Sequence, residues 1–417
     1  MLSVSLSKSA RRGLGSALAC VLSLALLQGP AAAAPGVPPP PAKDPFYKPP
    51  SPLPAGRPGD VIRARPSVFT LDPGRRSPYG GVKAWQLLYR SESATGGPIA
   101  VSGTVLVPAK PWARKGKRPL VSYAVGTRGL GDKCAPSYSL SRGLDYEELF
   151  IADALARGWA VAVTDMQGLG TPGRHTYVVG RSQGKAVLNM ARAAQRLPGT
   201  GLDTGGPVGI WGYSEGGGSA GWAAQLAASY APELAVKGTV AGGIPGKMRK
   251  LLAHNGGPFT LLLLMAAVGY DAAYPELDLD RYLNDRGRRM LAKYQDACVA
   301  HVDVLPLFLD TAFRRISDFT VRDPLDDPRW RARLDENDLG LIAPSAPVFD
   351  AQALLDEVIP YGQAEQVRRD WCARGANVTW QVYPVAEHLL GAVFAEPASV
   401  AFLDDRFHGR PTRGNCA

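Results

Sequence analysis

The pentapeptide Gly212-Tyr213-Ser214-Glu215-Gly216 places a serine between two glycines, in the pattern G-x-S-x-G. An apolar run precedes it at 207–211, and small, helix-favouring residues follow at 217–230. A strand, then this pattern, then a helix is the context in which a nucleophile elbow forms. Glycines are needed because larger side chains would collide in so tight a turn. The pattern predicts that Ser214 is a nucleophile for acyl transfer, beside a helix N-terminus that favours negative charge.

A serine nucleophile needs a general base, and His388 is the best-placed histidine of the chain. A serine hydroxyl is weakly nucleophilic until a base accepts its proton, and an acid must orient that base. His388 stands in the predicted loop 383–391, directly after the last well-defined strand. His408 lies in a polar C-terminal tail, whereas His254 and His301 lie in an inserted region. We therefore expect His388 to be the base.

The orienting acid is predicted to be Asp356. In α/β-hydrolases the chain order is serine, acid, histidine, and Asp356 follows the predicted strand 346–351. Asp350 competes but lies within that strand, and Asp165 stands at the end of an earlier strand. The structural alternative is that Asp356 is a surface residue that caps a helix starting near Pro360.

Acyl transfer also needs N–H groups directed at the developing oxyanion. The N–H of Glu215, directly after the nucleophile, is one expected donor. The second should come from the loop after an early strand, here 125–129, with Gly126 and Thr127 as candidates. The alternative is that this loop is an ordinary glycine-rich turn.

The elements that must position these residues follow a strand–helix alternation. Three alternating, half-buried strands are predicted first, at 61–71, 82–90 and 99–108. From residue 120 strands alternate with helices, which predicts a mostly parallel sheet whose site lies at the carboxyl ends of its strands. The predicted strands are 120–125, 159–164, 207–211, 237–241, 346–351 and 378–383, and the predicted helices are 145–157, 184–196, 217–230, 362–374 and 397–407.

The alternation stops between residues 244 and 342, where helical patterns occur without a convincing strand. Such an insertion between sheet strands predicts a helical cap over the site. Its most apolar run, Phe259–Val268, is too short to span a bilayer. It is predicted either to be a buried cap helix or to bind acyl chains or lipid, with Phe259, Leu262 and Leu263 in an acyl pocket.

The N-terminus resembles a secretory signal, with a basic start, an apolar stretch at 14–27 and small residues before Pro35. A membrane anchor is the alternative, but the apolar stretch is shorter than a span requires. We therefore expect a secreted, extracellular protein. The predicted organisation is a signal peptide (1–34), a proline-rich arm (35–58), a first part of the α/β core (59–243), the cap (244–342) and a second part of the core (343–417).

Charge and cysteine content exclude several classes of function. Removal of 1–34 takes away three basic and no acidic residues, so the net charge falls from +10 to +7. This modest charge, without a dense basic run, argues against a nucleic-acid partner.

Four cysteines then remain, an even number that favours two disulfides in an exported protein, with three possible pairings. No C-x-x-C occurs, which argues against metal binding. The four are Cys134, Cys298, Cys372 and Cys416.

With these residues in place, the chain resembles the secretory lipase family of the fungal and actinobacterial lipase-A type, from about residue 46 to 416. The resemblance rests on several collinear motifs. They are Phe46-Tyr-Lys-Pro-Pro50, Lys133-Cys-Ala-Pro-Ser-Tyr138, Asp165-Met-Gln-Gly-Leu-Gly170, Gly212-Tyr-Ser-Glu-Gly-Gly217, Asn255-Gly-Gly-Pro-Phe259, Asp356-Glu-Val-Ile-Pro-Tyr361, Cys372-Ala-Arg-Gly-Ala-Asn377 and Tyr383-Pro-Val-Ala-Glu-His388.

The resemblance implies an α/β-hydrolase with a helical cap that hydrolyses carboxylic esters, including triacylglycerols, without a metal or organic cofactor. It implies a triad of Ser214, Asp356 and His388, and disulfides pairing Cys134 with Cys298 and Cys372 with Cys416. Three positions depart from the family pattern: Val125 replaces a histidine of many bacterial members, and Gln167 and Ala353 stand where glutamate and glycine are frequent. These departures bear on substrate range and rate.

The expected partners are a lipid or ester substrate and, through the cap, a transient lipid surface; no protein partner is implied. The same triad also supports acyl transfer to an alcohol or sugar. A non-catalytic binding protein on a hydrolase scaffold is a third hypothesis, against which the complete triad argues. A serine peptidase is disfavoured because no strand repeat of a propeller cap is present.

Overall fold

The computed structural model describes residues 38–75, 77–254, 257–299, 301–302 and 304–416. The predicted signal peptide and the start of the proline-rich arm lie outside the described residues. The strands are β1 Val61–Ser67, β2 Val82–Glu92, β3 Pro98–Pro108, β4 Leu120–Ala124, β5 Ala160–Thr164, β6 Pro207–Tyr213, β7 Ala235–Gly242, β8 Val348–Ala353 and β9 Val378–Tyr383. The helices are α1 Pro136–Ser139, α2 Glu148–Ala156, α3 Gly180–Arg196, α4 Glu215–Tyr230, α5 Met248–His254, α6 Thr260–Ala273, α7 Asp285–Tyr294, α8 Val304–Thr311, α9 Pro328–Asp335, α10 Tyr361–Ala373 and α11 His388–Phe407.

All nine strands form one sheet in the order β1-β2-β3-β5-β4-β6-β7-β8-β9. The first three strands pair antiparallel, and β3 also meets β5 antiparallel. From β5 to β9 every pairing is parallel. The predicted mostly parallel sheet with antiparallel N-terminal strands is confirmed. Because parallel strands end at the same edge, the segments after β4, β6, β8 and β9 converge there.

The N-terminal strands are more deeply buried than their alternating pattern predicts. Residues 87–89 of β2 and 101–107 of β3 are buried without a break. Both faces are covered, because the Tyr89 hydroxyl donates to the Ala186 carbonyl of α3 at 3.1 Å. On the opposite face, Gln86 Nε2 donates to the Ser137 carbonyl of α1 at 2.7 Å. The prediction of a half-buried sheet is therefore wrong for β2 and β3.

The last helix also begins earlier than predicted, at His388 rather than near Pro397. The Glu387 carboxylate accepts the N–H groups of Leu389 at 2.8 Å and Leu390 at 2.9 Å, which caps the first turn. Pro397 is accommodated inside the helix instead of starting it. The prediction that His388 lies in a loop is therefore wrong, because a glutamate cap outweighed the proline signal.

Between β7 and β8 the described residues form helices and short 3-10 turns, and none of them belongs to a strand of the sheet. These helices share an apolar core that includes Tyr270, Tyr282, Phe319 and Trp330. Core-domain residues such as Val358 pack against the same cluster, so the inserted helices rest on the carboxyl edge of the sheet. In the part of the chain that the structure describes, no helix is long and apolar enough to cross a membrane.

Two disulfides tie distant segments together. Cys134 is bonded to Cys298, which joins the segment before α1 to the inserted region across 164 residues. Cys372 is bonded to Cys416, which fastens the C-terminal tail to α10 across 44 residues. Both pairings are those that the family resemblance implies.

Candidate active site

The turn between β6 and α4 is a strained elbow. Ser214 has φ of 58° and ψ of −126°, a conformation that few residues other than glycine adopt. A Cβ atom on Gly212 would lie 2.2 Å from the Gly216 carbonyl oxygen, and one on Gly216 would lie 2.0 Å from the Ala124 carbonyl oxygen. The two glycines are therefore required by close backbone approach, as the motif predicts.

The structure brings Ser214, His388 and Asp356 together from three different segments. Ser214 Oγ lies 2.9 Å from His388 Nε2. His388 Nδ1 lies 2.8 Å from one Asp356 carboxylate oxygen and 2.9 Å from the other. Because a carboxylate only accepts, Nδ1 carries the proton in this arrangement, and Nε2 is left to accept from the serine hydroxyl. This is the geometry that nucleophilic acyl transfer requires.

The Asp356 carboxylate is buried and fully engaged, which overturns the alternative of a surface helix cap. One oxygen accepts the N–H groups of Val358 at 3.0 Å and Ile359 at 2.6 Å. Gln352 Nε2 donates to the other oxygen at 3.2 Å. The N-cap position of α10 is occupied by Pro360, without a side-chain hydrogen bond. Asp356 is thus held in place by its own turn and by β8.

The two competing aspartates lie elsewhere. Asp165 accepts from Ser102 Oγ at 2.6 Å and from the Ser137 N–H at 2.6 Å, away from the elbow. Asp350 is fully buried in β8, and within the described residues neither of its oxygens has a hydrogen-bond partner. Neither aspartate contacts His388.

The electrostatics of the site favour a more basic imidazole. Burial by itself lowers the pKa of His388, but the carboxylate of Asp356, together with Glu357 and Glu387, more than offsets it. The pKa of His388 consequently lies above its usual value. Glu357 contributes through a direct contact, because its carboxylate accepts the backbone N–H of His388 at 3.1 Å.

The candidate oxyanion donors lie on the two sides of the nucleophile. Glu215 is the first residue of α4, so its N–H has no partner within that helix. Its buried carboxylate is fixed by His175 Nε2 at 2.9 Å and by Gln183 Nε2 at 2.5 Å. On the other side, the Gly126 N–H donates to the Glu147 carboxylate at 3.1 Å, whereas Thr127 lines the same cleft as Ser214.

A mostly apolar cleft of about 310 Å³ opens above Ser214. Phe259 and Leu262 line it from the inserted helices, together with Val304 and Phe308. Leu263 does not face this cleft but lines a smaller recess that Leu262 and Ser214 share. The three residues predicted for an acyl pocket therefore all lie near the nucleophile, in two adjoining spaces.

Sequence reasoning missed three glutamates around the cleft, Glu147, Glu357 and Glu387. Glu357 and Glu387 are adjacent in sequence to Asp356 and His388, which was a usable signal. Glu147 carried no such signal, because it lies in the chain segment between β4 and β5, away from both motifs. It reaches the site through its hydrogen bond with Gly126, 21 residues earlier. Among the described residues, no cluster of three or more His, Cys, Asp or Glu side chains is arranged to hold a metal ion.

Comparison with known proteins identifies the family of the chain. Residues 136–415 match the model of the secretory lipase family. A secreted triacylglycerol lipase of Malassezia globosa is 31% identical over 400 residues, which cover 90% of this chain and 81% of that protein. A protein of Mycobacterium tuberculosis described as a probable inactive lipase is 32% identical over 389 residues, covering 89% and 83% of the two chains.

The fold likewise matches a solved lipase. The closed state of Candida antarctica lipase A superposes with a TM-score of 0.78 at 27% identity, covering 91% of this chain and 89% of that one. With the nine-stranded sheet, this match confirms the predicted α/β-hydrolase fold.

Proposed function

Because this chain belongs to the secretory lipase family, we propose that it is a secreted serine carboxylesterase and, more narrowly, a triacylglycerol lipase. Ester hydrolysis is the activity class of the family and of its fungal relatives. The observation that carries the proposal of a serine carboxylesterase is the continuous hydrogen-bonded line from Ser214 Oγ through the His388 ring to Asp356.

In the proposed mechanism, Ser214 Oγ attacks the ester carbonyl carbon while His388 Nε2 takes the hydroxyl proton. The carbonyl oxygen becomes an oxyanion, which the N–H of Glu215 and one N–H of the loop 126–127 stabilise. His388 then gives its proton to the departing alcohol oxygen, and the acyl group stays on Ser214. Water gives a proton to His388 Nε2 and adds to the acyl carbon; the bond between this carbon and Ser214 Oγ then breaks, His388 returns the proton to Oγ, and the acid leaves.

The cleft supports esters with apolar acyl groups. Its lining from the inserted helices is aliphatic and aromatic, and each buried methylene of a substrate would gain about 0.8 kcal/mol. The cleft also supports contact with a lipid surface, because Leu389 and Val393, two of its lining residues, are exposed. Further apolar side chains on the segments that carry Asp356 and His388 are exposed as well, and we call the whole set the apolar rim: Leu354, Leu355, Val385, Leu389, Leu390, Val393 and Phe394.

The test is hydrolysis of p-nitrophenyl esters from acetate to palmitate by the wild-type protein and by Ser214→Ala. We expect the variant to stay folded and to lose several orders of magnitude in kcat. Ser229→Ala, an exposed serine on the same helix α4, is the matched control and should keep full activity. Turnover by Ser214→Ala equal to that of the wild type would exclude the proposal.

Two other functions remain distinguishable by the same assay. The mycobacterial relative described as inactive favours a non-catalytic alternative, in which even folded wild-type protein would release no p-nitrophenol. Acyl transfer is the other alternative; with an alcohol present, it would give mainly the new ester rather than the free acid.

A further inference from the structure

The backbone amide of Gly126 is already occupied. Its N–H donates to Glu147 Oε1 at 3.1 Å and lies 3.3 Å from Oε2. A Cβ atom at this position would lie 2.9 Å from Glu147 Oε1 and 2.8 Å from the Tyr146 hydroxyl. A larger residue would therefore displace Glu147 or Tyr146 from this contact. The contact also takes the Gly126 N–H out of the set of amides that could bind an oxyanion.

The remainder of the loop is held by the two residues that precede Glu147. The Tyr146 hydroxyl donates to the Thr127 carbonyl oxygen at 3.0 Å. Arg128 stacks 3.8 Å above the Tyr146 ring and donates twice to the Asp145 carboxylate, at 3.0 Å and 2.6 Å. The segment 145–147 thus fixes three successive residues of the loop, all of them buried.

We propose that Glu147 is a positioning residue that binds the Gly126 amide and so presents the Thr127 amide as the second oxyanion donor. The inference rests on the proposed function, since it concerns the oxyanion of that reaction. Thr127, Glu147 and Ser214 line one cleft, so the held loop faces the nucleophile directly. An oxyanion donor is effective only when it is fixed before charge develops.

The contacts of Glu147 favour its ionised form. Its oxygens face donors: the Gly126 N–H, the Arg128 guanidinium at 3.3 Å and the Tyr123 hydroxyl of β4. The like charge nearby is Asp145, which Arg128 already neutralises. Burial raises the pKa of Glu147 to about 7, although Arg128 opposes this. Protonation near neutral pH would therefore loosen the loop, and activity should fall as the pH drops through this range.

The variant Glu147→Gln tests the proposal with Glu148→Gln as its matched control. A glutamine keeps the size of the side chain but loses the charge and one acceptor oxygen. Burial also raises the pKa of Glu148 to about 7, and its carboxylate accepts the Asp145 N–H. Glu148 feels the charge of Arg128, but none of its hydrogen bonds goes to Gly126 or Thr127. The probes are p-nitrophenyl butyrate and butaneboronic acid, which adds to the serine and places a boronate oxygen where the oxyanion forms.

We expect Glu147→Gln to lower kcat roughly tenfold to a hundredfold with little change in KM, less than the loss of a whole donor. The inhibition constant for the boronic acid should rise by a similar factor. The acidic limb of the kcat profile should change shape in Glu147→Gln and stay as in the wild type in Glu148→Gln. A merely structural role would leave the boronate affinity of the folded variant unaltered.

Thermal unfolding of each variant is measured first. If Glu147→Gln does not fold, Glu147→Asp, which keeps the charge but withdraws it from Gly126, should show the same loss of kcat. Wild-type kcat and boronate affinity in the folded variant would overturn the proposal, as would equal losses in Glu148→Gln. Failure of the proposed function is separate, because it would appear as activity in Ser214→Ala or as no turnover by the folded wild-type protein.

Discussion

The carboxylate of Glu357 accepts the backbone N–H of His388 at 3.1 Å, across the two loops that follow β8 and β9. Glu357 follows Asp356 in sequence, so one short segment both orients the imidazole and fixes the start of the helix that carries it. The same carboxylate is one of the charges that raise the pKa of His388.

This contact predicts how the pH profile responds to Glu357→Gln. The proposed mechanism needs neutral His388, so kcat/KM of the free enzyme should rise as the pH passes the raised pKa of this residue. Burial lowers the pKa of His388, and the Glu357 charge opposes this effect. Without that charge, the pKa of His388 should fall. The acidic limb should therefore move to lower pH. The shift is measured from kcat/KM on p-nitrophenyl butyrate between pH 4 and 9, in the wild type and in Glu357→Gln. An acidic limb that stays in place or moves to higher pH would contradict the prediction.

Asp350 predicts a pH-dependent stability that is separate from catalysis. Burial raises the pKa of Asp350 well above its usual value, so the folded protein keeps this carboxyl protonated to a higher pH than the unfolded chain does. Its stabilising contribution is complete below the unfolded pKa near 4 and is lost as the pH rises toward the folded pKa. Each pH unit in which only the unfolded carboxyl ionises costs about 1.4 kcal/mol.

Asp350→Asn should therefore be more stable than the wild type at pH 8, with a much smaller difference at pH 4. Urea unfolding at both pH values measures this, and esterase activity should stay unchanged because Asp350 does not contact His388. If the two proteins lose stability in parallel between pH 4 and 8, Asp350 is not the group responsible.

The disulfide between Cys372 and Cys416 should stabilise the fold because it lowers the conformational entropy of the unfolded chain. A loop of 44 residues gives ~4 kcal/mol on the chain-entropy model. The double variant Cys372→Ser/Cys416→Ser should accordingly unfold at lower denaturant concentration. Thiol titration of the denatured, unreduced wild type should find essentially no free thiol among the four mature cysteines, and two reactive thiols would refute the pairing.

The features that the sequence predicted correctly are those set by residues close together in the chain. The elbow and the succession of strands and helices along the chain follow from turn glycines and apolar runs, which act over a few residues. His388 and Asp356 were found because the carboxyl ends of parallel strands must meet at one edge. Glu147 was missed because its contact with Gly126 depends on packing between segments 21 residues apart. The start of the last helix at His388 was missed because Pro397 was taken as the start of the helix, although Glu387 caps its true start nine residues earlier.

The apolar face of α6 predicts a chain-length effect. Leu262 lines the catalytic cleft, so Leu262→Asp should lower activity on p-nitrophenyl palmitate more than on the acetate. Leu309→Asp is the matched control, because Leu309 lies in helix α8 of the same region but is 65% exposed. Equal loss at every chain length in a folded Leu262→Asp variant would assign this helix a purely structural role.

The apolar rim predicts where a lipid surface is contacted. The sequence predicts contact through the cap, which also carries exposed apolar side chains such as Phe313 and Val321, whereas the apolar rim lies on the core segments that carry Asp356 and His388. Val385 is 77% exposed and Phe394 is 44% exposed, and an exposed patch of this kind is costly unless it meets an apolar partner. Contact there would bring the lipid phase directly to the mouth of the cleft, which Val393 of the same helix lines.

The double variant Val385→Asp/Phe394→Asp should therefore lose activity on a triolein emulsion by about tenfold or more while keeping its rate on dissolved p-nitrophenyl butyrate. Charges on the rim oppose transfer from water to lipid but do not touch the triad. Val321→Asp is the control, because Val321 is 67% exposed on the inserted region and does not line the cleft. If Val321→Asp lowers emulsion activity and the rim variant does not, the lipid surface is met by the cap instead.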